Sequence, residues 1–331
     1  MAEEMNAVTI RNYGAPEVLK VEKLARPRPG ADDLLVRVGA AGVNRADCLQ
    51  RAGNYPMPPG VGSLVPGLEL AGEVEAVGSA VKDFRPGDRV FGLVAEGAYA
   101  EYACLDQGLA LRVPANWDFA TAAGVIEVFC TANETVFQVG GLAAGESILI
   151  HAGASGVGTA AVQMARHAGA GVLFTAGTQA KVDAVLALGA DHGIVYKSHD
   201  FVDEVLRLTG GEGVDQIEDF IGADYLMRNL SLLKTKGRLV LVGLMGGRTA
   251  EFDMGAMLSK RLAVFGFTLR AQSLLEKRAI VARFRDRWMP QLAAGRIAPV
   301  MYATFPLADA STAHAVMERN ENLGKIVLTV E

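Results

Sequence analysis

Apolar and polar positions follow two different patterns along the chain, and the pattern changes near Trp117. In residues 1–122, short apolar stretches alternate with polar positions, and Gly and Pro interrupt them, as at Arg85–Asp88. Such segments are typical of strands joined by tight turns. This part predicts an irregular, mostly antiparallel β domain, with strands that include Val36–Gly39, Glu69–Val77 and Asp88–Phe91.

The period becomes helical from Ala120, and from Ser147 strand-like segments alternate with helix-sized gaps such as Ala180–Leu188 and Tyr225–Leu233. This order is typical of βαβ units, whose right-handed crossovers build a parallel sheet. The predicted strands of that sheet are Ser147–Ala152, Val172–Ala176, Gly193–Tyr196, Val214–Phe220, Arg238–Val242 and Leu262–Phe267.

The pattern changes again after Arg270. A long charged helix, Leu274–Ala294, precedes a β-like stretch, Val300–Phe305, and a closing strand, Lys325–Val330. This ending fits a chain that leaves the α/β domain and returns to the first one.

The length of 331 residues is sufficient for two domains with substantial cores. The predicted fold class is α/β. A Rossmann-type doubly wound parallel sheet is expected in residues 123–268, and the β domain in residues 1–122 and 269–331, with a cleft between the two.

Composition excludes several classes of protein. With 50% hydrophobic residues, the chain is not expected to be disordered. With a net charge of −5 and no basic run, it is not expected to bind nucleic acid or an anionic membrane surface. No apolar run approaches the roughly 18 residues of a membrane span, and the first ten residues do not read as a signal peptide. The three cysteines, at 48, 104 and 130, form no CxxC pair and predict reduced thiols in a soluble, cytoplasmic protein.

One glycine-rich turn, Gly153–Gly158, carries most of the functional information. It follows a predicted strand and precedes a helix with a small, apolar face that includes Ala161 and Met164. Glycines at such a turn let the backbone approach a pyrophosphate, which then lies at the helix N-terminus, and Ser155 adds a hydroxyl. Similar turns occur without ligands, and the spacing G-x-x-G-x-G differs from the strict G-x-G-x-x-G. The neighbouring strands and helix nevertheless favour dinucleotide binding.

The end of the second predicted strand indicates which dinucleotide is bound. An NAD site usually has Asp or Glu there, whereas Thr175–Lys181 contains no acid. Gly177, Thr178 and Lys181 would suit a 2′-phosphate, although Lys181 could equally be an ordinary solvated helix residue. NADP is therefore favoured over NAD.

Several further motifs occur in order along the chain: Ala41–Asp47, Gly53–Pro56, Pro66–Gly72, Arg85–Phe91, Gly243–Gly247 and Asn322–Val327. With the glycine turn, they make essentially the whole chain resemble the medium-chain dehydrogenase/reductase superfamily. The similarity is to its zinc-free quinone oxidoreductases, the zeta-crystallin-like branch. The resemblance implies that the β domain is a GroES-like catalytic domain.

The resemblance also bears on metal binding. Zinc alcohol dehydrogenases of this superfamily hold the catalytic zinc with Cys, His and Cys, and the matching places here are Asn44, Leu68 and Glu127. The four-cysteine lobe of the structural zinc is absent. The resemblance thus implies hydride transfer without a metal. Ile126 replaces a Pro that is frequent in relatives, and Phe129 stands where relatives carry another aromatic residue.

The resemblance assigns roles to individual residues. Tyr55 would line the substrate cleft, although it could instead be a loop tyrosine packed on the surface, and Asn44 would lie near the nicotinamide ribose. The further cofactor-binding residues are Thr131 at the nicotinamide ring; Ser155, Gly156, Val157 and Gly158 at the pyrophosphate; Thr178, Lys181 and Tyr196 at the 2′-phosphate; Ile221, Gly222, Gly243, Leu244 and Met245 along the adenosine and nicotinamide halves; Phe267, Thr268 and Leu269 at the carboxamide; and Asn322 and Lys325, which could close the cleft.

Three functions are compatible with these features. The leading one is NADPH-dependent reduction of a quinone or a similar electron-poor carbonyl compound. The second is reduction of an enone or enoyl thioester, with Tyr55 as proton donor, and the third is NADPH binding without catalysis. A homodimer is expected through the edge strand Leu262–Phe267, because exposed apolar edges are normally paired or covered.

Overall fold

The computed structural model describes residues 3–55 and 64–330, and Pro56 of the motif Gly53–Pro56 lies outside them. The chain forms two compact units. The first comprises Met1–Val128 with Arg270–Glu331, and the second is the continuous segment Phe129–Leu269.

The first unit is built mainly from strands. Its strands are β1 (Glu4–Ile10), β2 (Leu19–Ala25), β3 (Asp33–Val43), β4 (Glu69–Val77), β5 (Arg89–Leu93), β6 (Tyr102–Asp106), β7 (Ala110–Arg112), β14 (Met301–Pro306) and β15 (Lys325–Thr329). Its helices are α1 (Arg45–Arg51), α2 (Phe119–Ala123), α9 (Leu274–Ala293) and α10 (Ala310–Glu318), and α3 (Ile126–Ala132) continues from it into the second unit.

The second unit alternates strands and helices. Its strands are β8 (Ser147–Ile150), β9 (Gly171–Ala176), β10 (His192–Val195), β11 (Val214–Asp219), β12 (Leu233–Leu241) and β13 (Ala263–Gly266). Its helices are α4 (Gly156–His167), α5 (Gln179–Leu186), α6 (Phe201–Leu208), α7 (Leu226–Leu232) and α8 (Met254–Lys260), with a π-helical segment at Asn133–Val139.

The main sheet of the first unit has the order β14-β15-β3-β4-β5-β7, and β6 also pairs with β3. Its pairs are antiparallel except β14 with β15. The prediction of a mostly antiparallel domain is thus confirmed. The late strand β15 lies against β3, with Ile326 opposite Val43, so the chain does return to its first unit.

The sheet of the second unit has the order β10-β9-β8-β11-β12-β13, and all of its pairs are parallel. Each predicted strand is present, with ends shifted by a few residues, and β13 lies at one edge as expected. Apolar side chains of the sheet, such as Leu149 and Ile217, pack with Phe201 and Leu230 of the covering helices in one core. The predicted α/β fold with a Rossmann-like sheet is confirmed.

One carboxyl group lies inside this sheet. Glu218 of β11 is fully buried, and its Oε1 lies 2.5 Å from the Thr135 hydroxyl. That hydroxyl is also 2.8 Å from the carbonyl oxygen of Thr131. One hydroxyl proton serves only one acceptor, so a proton on Glu218 allows both hydrogen bonds at once. Burial accordingly raises the pKa of Glu218 to about 8.

This raised pKa predicts a pH-dependent stability that Glu218→Gln removes. Below the ordinary glutamate pKa, both the folded and the unfolded protein hold this proton. Above that pKa and up to about pH 8, only the folded protein holds it, so the free energy of unfolding falls as the pH rises. The contribution of the protonated Glu218 to stability is lost once the pH has risen through about 8. Between pH 5 and 8.5, the free energy of unfolding should fall by about 2–4 kcal/mol more in the wild type than in the variant. Urea denaturation at both pH values measures this, and equal changes in the two proteins would contradict it.

No helix within residues 3–55 and 64–330 combines the length and the apolar character that a membrane crossing requires.

Candidate functional site

The glycine turn joins β8 to α4 in a geometry that excludes larger residues. A Cβ atom at Gly158 would lie 2.5 Å from the carbonyl oxygen of Ala152, and one at Gly153 would lie 2.7 Å from the side chain of Phe174. The helix therefore starts directly against the strand ends. Ser155 is the N-cap, and its Oγ accepts a hydrogen bond from the N–H of Gly158 at 3.0 Å. Within residues 3–55 and 64–330, the N–H groups of Gly156 and Val157 in this first turn have no hydrogen-bond partner, so they are free for an anion.

The ends of β9 and β10 form a second part of this edge. Thr178 caps α5, and its Oγ1 accepts from the N–H of Lys181 at 3.3 Å. Tyr196 follows β10 and donates its N–H to the carbonyl oxygen of Ala176 at 3.2 Å. The structure thus brings Thr178, Lys181 and Tyr196 to neighbouring strand ends, as expected for parallel strands.

The ends of β11, β12 and β13 carry the other predicted residues of this unit. The carboxylate of Asp219 accepts the N–H groups of Ile221 and Gly222 at 2.7 and 3.2 Å, which fixes the loop after β11. The N–H of Met245 donates to the carbonyl oxygen of Phe220 at 3.2 Å, so the loop after β12 is tied to the same place. The sequence-predicted residues at these ends are Ile221, Gly222, Gly243, Leu244, Met245, Phe267, Thr268 and Leu269, and Thr131 lies on α3.

A buried ion pair forms the centre of a polar cluster in the first unit. Lys325 of β15 is 2% exposed and Glu69 of β4 is 0% exposed, and their Nζ and Oε1 atoms lie 2.7 Å apart. The Lys325 ammonium also donates to the carbonyl oxygen of Val43 at 3.0 Å and to Asn44 Oδ1 at 2.7 Å. All three of its N–H groups are thus used by the protein.

Asn44 is held by the same pair from both sides. Its Nδ2 donates to Glu69 Oε1 at 2.9 Å, while its Oδ1 accepts from Lys325. Its backbone N–H donates to the carboxylate of Asp47 at 2.8 Å, at the start of α1. The orientation of the Asn44 amide is therefore fixed. Lys325 and Glu69 together hold this side chain in place.

Glu127 and Tyr55 are half-buried groups next to this cluster. The N–H of Glu127 donates to Glu69 Oε2 at 3.0 Å. Burial, and then the charge of Glu69, raise the pKa of the Glu127 carboxyl to about 8. Burial, and then the charge of Glu127, raise the pKa of Tyr55 to about 12, and the guanidinium carbon of Arg270 lies 5.2 Å from the Tyr55 ring centre. Both side chains therefore carry a proton at neutral pH.

The reasoning from sequence did not assign Glu69 to the site, and placed it only in the motif Pro66–Gly72 and at the start of the predicted strand Glu69–Val77. A signal was present, because a glutamate within an apolar strand is seldom buried unless it is paired. Its partner lies 256 residues away in sequence, and only the pairing of β15 with β3 reveals it. Asn322 lies on the loop before β15, where its Nδ2 donates to the carbonyl oxygen of Gly324 at 2.8 Å.

Comparisons with known proteins agree with this architecture. A family model described as the alcohol dehydrogenase GroES-like domain matches residues 30–115, and one described as zinc-binding dehydrogenase matches residues 156–282. Human quinone oxidoreductase is 32% identical over 327 residues, which are 98% of this chain and 97% of that protein.

This chain belongs to the medium-chain dehydrogenase/reductase superfamily, in its quinone oxidoreductase branch. Two solved structures are similar over nearly the whole chain. Quinone oxidoreductase of Escherichia coli complexed with NADPH has a TM-score of 0.88 at 30% identity, covering 98% of this chain and 99% of that one. CurK enoyl reductase has a TM-score of 0.88 at 26% identity, covering 99% and 100%. The protein is an oxidoreductase of this family.

The zinc that one family description implies does not fit the residues of this oxidoreductase. Leu68 is an apolar side chain, and the amide of Asn44 is bound to the ammonium of Lys325, whose positive charge would repel a second cation. Within residues 3–55 and 64–330, no cluster of three or more His, Cys, Asp or Glu side chains suits a metal ion.

The buried pair predicts a large effect for Lys325→Met. The variant leaves the carboxylate of Glu69 buried without its partner, so the free energy of unfolding should fall by about 3–5 kcal/mol. Replacing both residues, as Glu69→Leu with Lys325→Met, should cost clearly less, because no charge is then buried. Urea denaturation measures both losses.

The matched control is Lys23→Met, since Lys23 is an exposed lysine on β2 of the same unit. Its effect should remain within about 0.5 kcal/mol. Two results would contradict the stabilising role of this buried ion pair. One is a loss below about 1 kcal/mol for Lys325→Met, and the other is an equal loss in the double variant.

Proposed function

We propose that this oxidoreductase uses NADP(H) and reduces a quinone or a similar electron-poor carbonyl compound. The observation that supports the cofactor most directly is the glycine turn. Its helix begins against the end of β8, and the neighbouring strand β9 ends in a segment without any acid. The similar Escherichia coli enzyme was solved with NADPH, which agrees with this choice.

The residues proposed to hold the cofactor are those at the carboxyl ends of the parallel strands. The first turn of α4, from Ser155 to Gly158, would bind the pyrophosphate, and the segment from Gly177 to Lys181 with Tyr196 would bind the 2′-phosphate. Thr131 and the residues after β11, β12 and β13 would contact the remaining parts. Asn44 is proposed at the nicotinamide ribose, with its amide oriented by Lys325 and Glu69.

The proposed reaction needs little from the protein beyond orientation and a proton. NADPH supplies the hydride when it is bound. The product of quinone reduction is a stabilised anion that takes its proton readily. The half-buried hydroxyl of Tyr55, which stays protonated at neutral pH, can donate a hydrogen bond to the acceptor oxygen. This agrees with a site in which neither His nor Lys is assigned as general acid.

The direct test is NADPH oxidation with ortho- and para-quinones, followed by absorbance. We expect turnover with at least one quinone, and slower oxidation of NADH than of NADPH. Absence of turnover with every quinone would refute the proposed acceptor. Tight NADPH binding without turnover of quinones or enones would indicate a binding protein instead of an enzyme.

Reduction of an enone or enoyl thioester is the second candidate, because the CurK enoyl reductase has a closely similar fold. In that reaction a carbon atom must be protonated, so Tyr55 would be a proton donor. Tyr55→Phe distinguishes the two. Under the proposed function, quinone turnover in Tyr55→Phe should stay within about tenfold of the wild type. A loss of about 100-fold or more that is confined to enone substrates would favour enone reduction.

We also propose that the protein is a homodimer through β13. This strand is an edge of the parallel sheet, and Phe265 in it is 39% exposed. The nearby helix α8 presents Met254 and Leu258 to solvent, at 70% and 78% exposure. A paired edge would cover these groups. Light scattering at micromolar concentration should give a mass of two chains, and a monomer mass would contradict the proposal.

A further inference from the structure

The glycine turn is preceded by one strained residue. Ala152, between the end of β8 and Gly153, has a φ of 50°, which lies in the left-handed region. A Cβ atom is disfavoured in that region, so the surrounding structure must hold the residue in place. The carbonyl oxygen of Ala152 accepts the N–H of Ser155 at 2.9 Å, and Gly158 packs against the same oxygen. The strained residue therefore sets where α4 begins.

Thr175, near the end of β9, holds the residues on both sides of Ala152. Its carbonyl oxygen accepts the N–H of Gly153 at 2.9 Å. Its hydroxyl oxygen lies 3.1 Å from Nδ1 of His151, the residue before Ala152. The side chains of Thr175 and His151 are both buried, so water does not compete for this contact. Two contacts to one residue of the neighbouring strand thus bracket the strained position.

The ring of His151 is fixed by further contacts with the core. Its Nε2 lies 2.8 Å from Oδ1 of Asn229 on α7, and its backbone N–H donates to the carbonyl oxygen of Glu218 at 3.0 Å. The rings of Phe201 and Tyr225 pack edge-on against it, with ring centres 4.9 and 4.8 Å away. The imidazole is therefore a rigid support for the turn that follows it.

The protonation state of His151 follows from its two side-chain partners. An amide oxygen such as Asn229 Oδ1 can only accept, so Nε2 carries the proton and Nδ1 accepts from the Thr175 hydroxyl. Burial lowers the pKa of His151 to about 4, so the ring is neutral at neutral pH. Each partner thus has a defined role, since Thr175 donates and Asn229 accepts.

We propose that His151, acting through Thr175, is a positioning residue for the dinucleotide, because it holds the strained Ala152 in the conformation that presents the first turn of α4 to the pyrophosphate. This inference rests on the NADP(H) binding proposed above. Backbone N–H groups that are already in place when an anion arrives bind it more tightly than groups that must first be ordered. Loss of the contact should therefore weaken the cofactor without removing any group that touches it.

The experiment measures dissociation constants by calorimetry for NADPH and for 2′-AMP, which lacks the pyrophosphate. Thr175→Val removes the hydroxyl but keeps the shape of the side chain and the backbone contact with Gly153. It should weaken NADPH about three- to tenfold, the equivalent of one buried hydrogen bond. Thr175→Ser retains the hydroxyl and should stay within about twofold of the wild type. The affinity for 2′-AMP should change by less than about twofold in both variants, because it does not reach the turn.

Two further substitutions test the route from His151 to the turn. His151→Phe retains the ring contacts and removes both ring hydrogen bonds, so it should weaken NADPH at least as much as Thr175→Val. If the two residues act as one unit, the double variant should bind NADPH no more weakly than His151→Phe alone. Ala152→Gly removes the strain, and in that background Thr175→Val should weaken NADPH by less than about twofold.

The matched control is Thr209→Val in the same unit. Thr209 Oγ1 donates to the carbonyl oxygen of Val205 at 2.7 Å and accepts the N–H of Gly213 at 3.0 Å. This hydroxyl lies before β11, at the opposite end of the sheet from the glycine turn. Its loss should lower the free energy of unfolding, as Thr175→Val does, without changing the dissociation constant for NADPH.

Turnover gives a second readout. With a quinone acceptor, Thr175→Val should raise KM for NADPH and leave kcat nearly unchanged, because the turn binds the cofactor equally in the ground state and the transition state. Unchanged NADPH affinity in Thr175→Val, or an equal weakening in Thr209→Val, would overturn the positioning role while the wild type still binds NADPH. A wild type that binds neither NADPH nor NADH would refute the proposed cofactor and this role together.

Discussion

The ion pair between Lys325 and Glu69 is the interaction on which the first unit most depends. Lys325 is 2% exposed and Glu69 is 0% exposed. Charged groups buried to this extent are tolerated only when each is paired and hydrogen-bonded. Here the ammonium has three acceptors, and the carboxylate accepts from Lys325, Asn44 and the backbone of Glu127. The pair thereby joins β15, β4, the start of α1 and the start of α3 in one polar centre.

Some relatives in this family bind zinc. In this protein the same ion pair provides a polar centre whose positive charge is not a metal ion. The positive charge near Asn44 is an ammonium that belongs to the chain, and its position is set by the sheet. Glu127 lies next to this ammonium. Its burial and the neighbouring carboxylate of Glu69 both raise the pKa of its carboxyl group. Protonated groups are therefore held close to Tyr55 by the fold itself.

Much of the fold could be predicted from the sequence, because the responsible signals are local. The alternation of strands and helices after Ser147 identified each strand of the parallel sheet, and the glycine turn identified its first crossover. The ends of elements shifted by a few residues, as at β12, which begins at Leu233 although the apolar run begins near Arg238. Capping and pairing, which set such ends, are only partly visible in a sequence.

The candidate site was less predictable, because its main contacts join distant segments. Lys325 could be assigned to a motif, but its pairing with Glu69 depends on the register of β15 against β3. Registers of this kind are a property of the whole sheet.

The position of β15 between β14 and β3 has a consequence for biosynthesis. Phe129–Leu269 is continuous, so all of its strands have left the ribosome before β15 is translated. The sheet of the first unit, in contrast, lacks two of its neighbouring strands until the last part of the chain emerges. The second unit can thus fold during translation, whereas β3 in the first unit keeps an unpaired edge until β15 has been translated. An unpaired strand edge of this kind is prone to aggregation until its partner strand arrives.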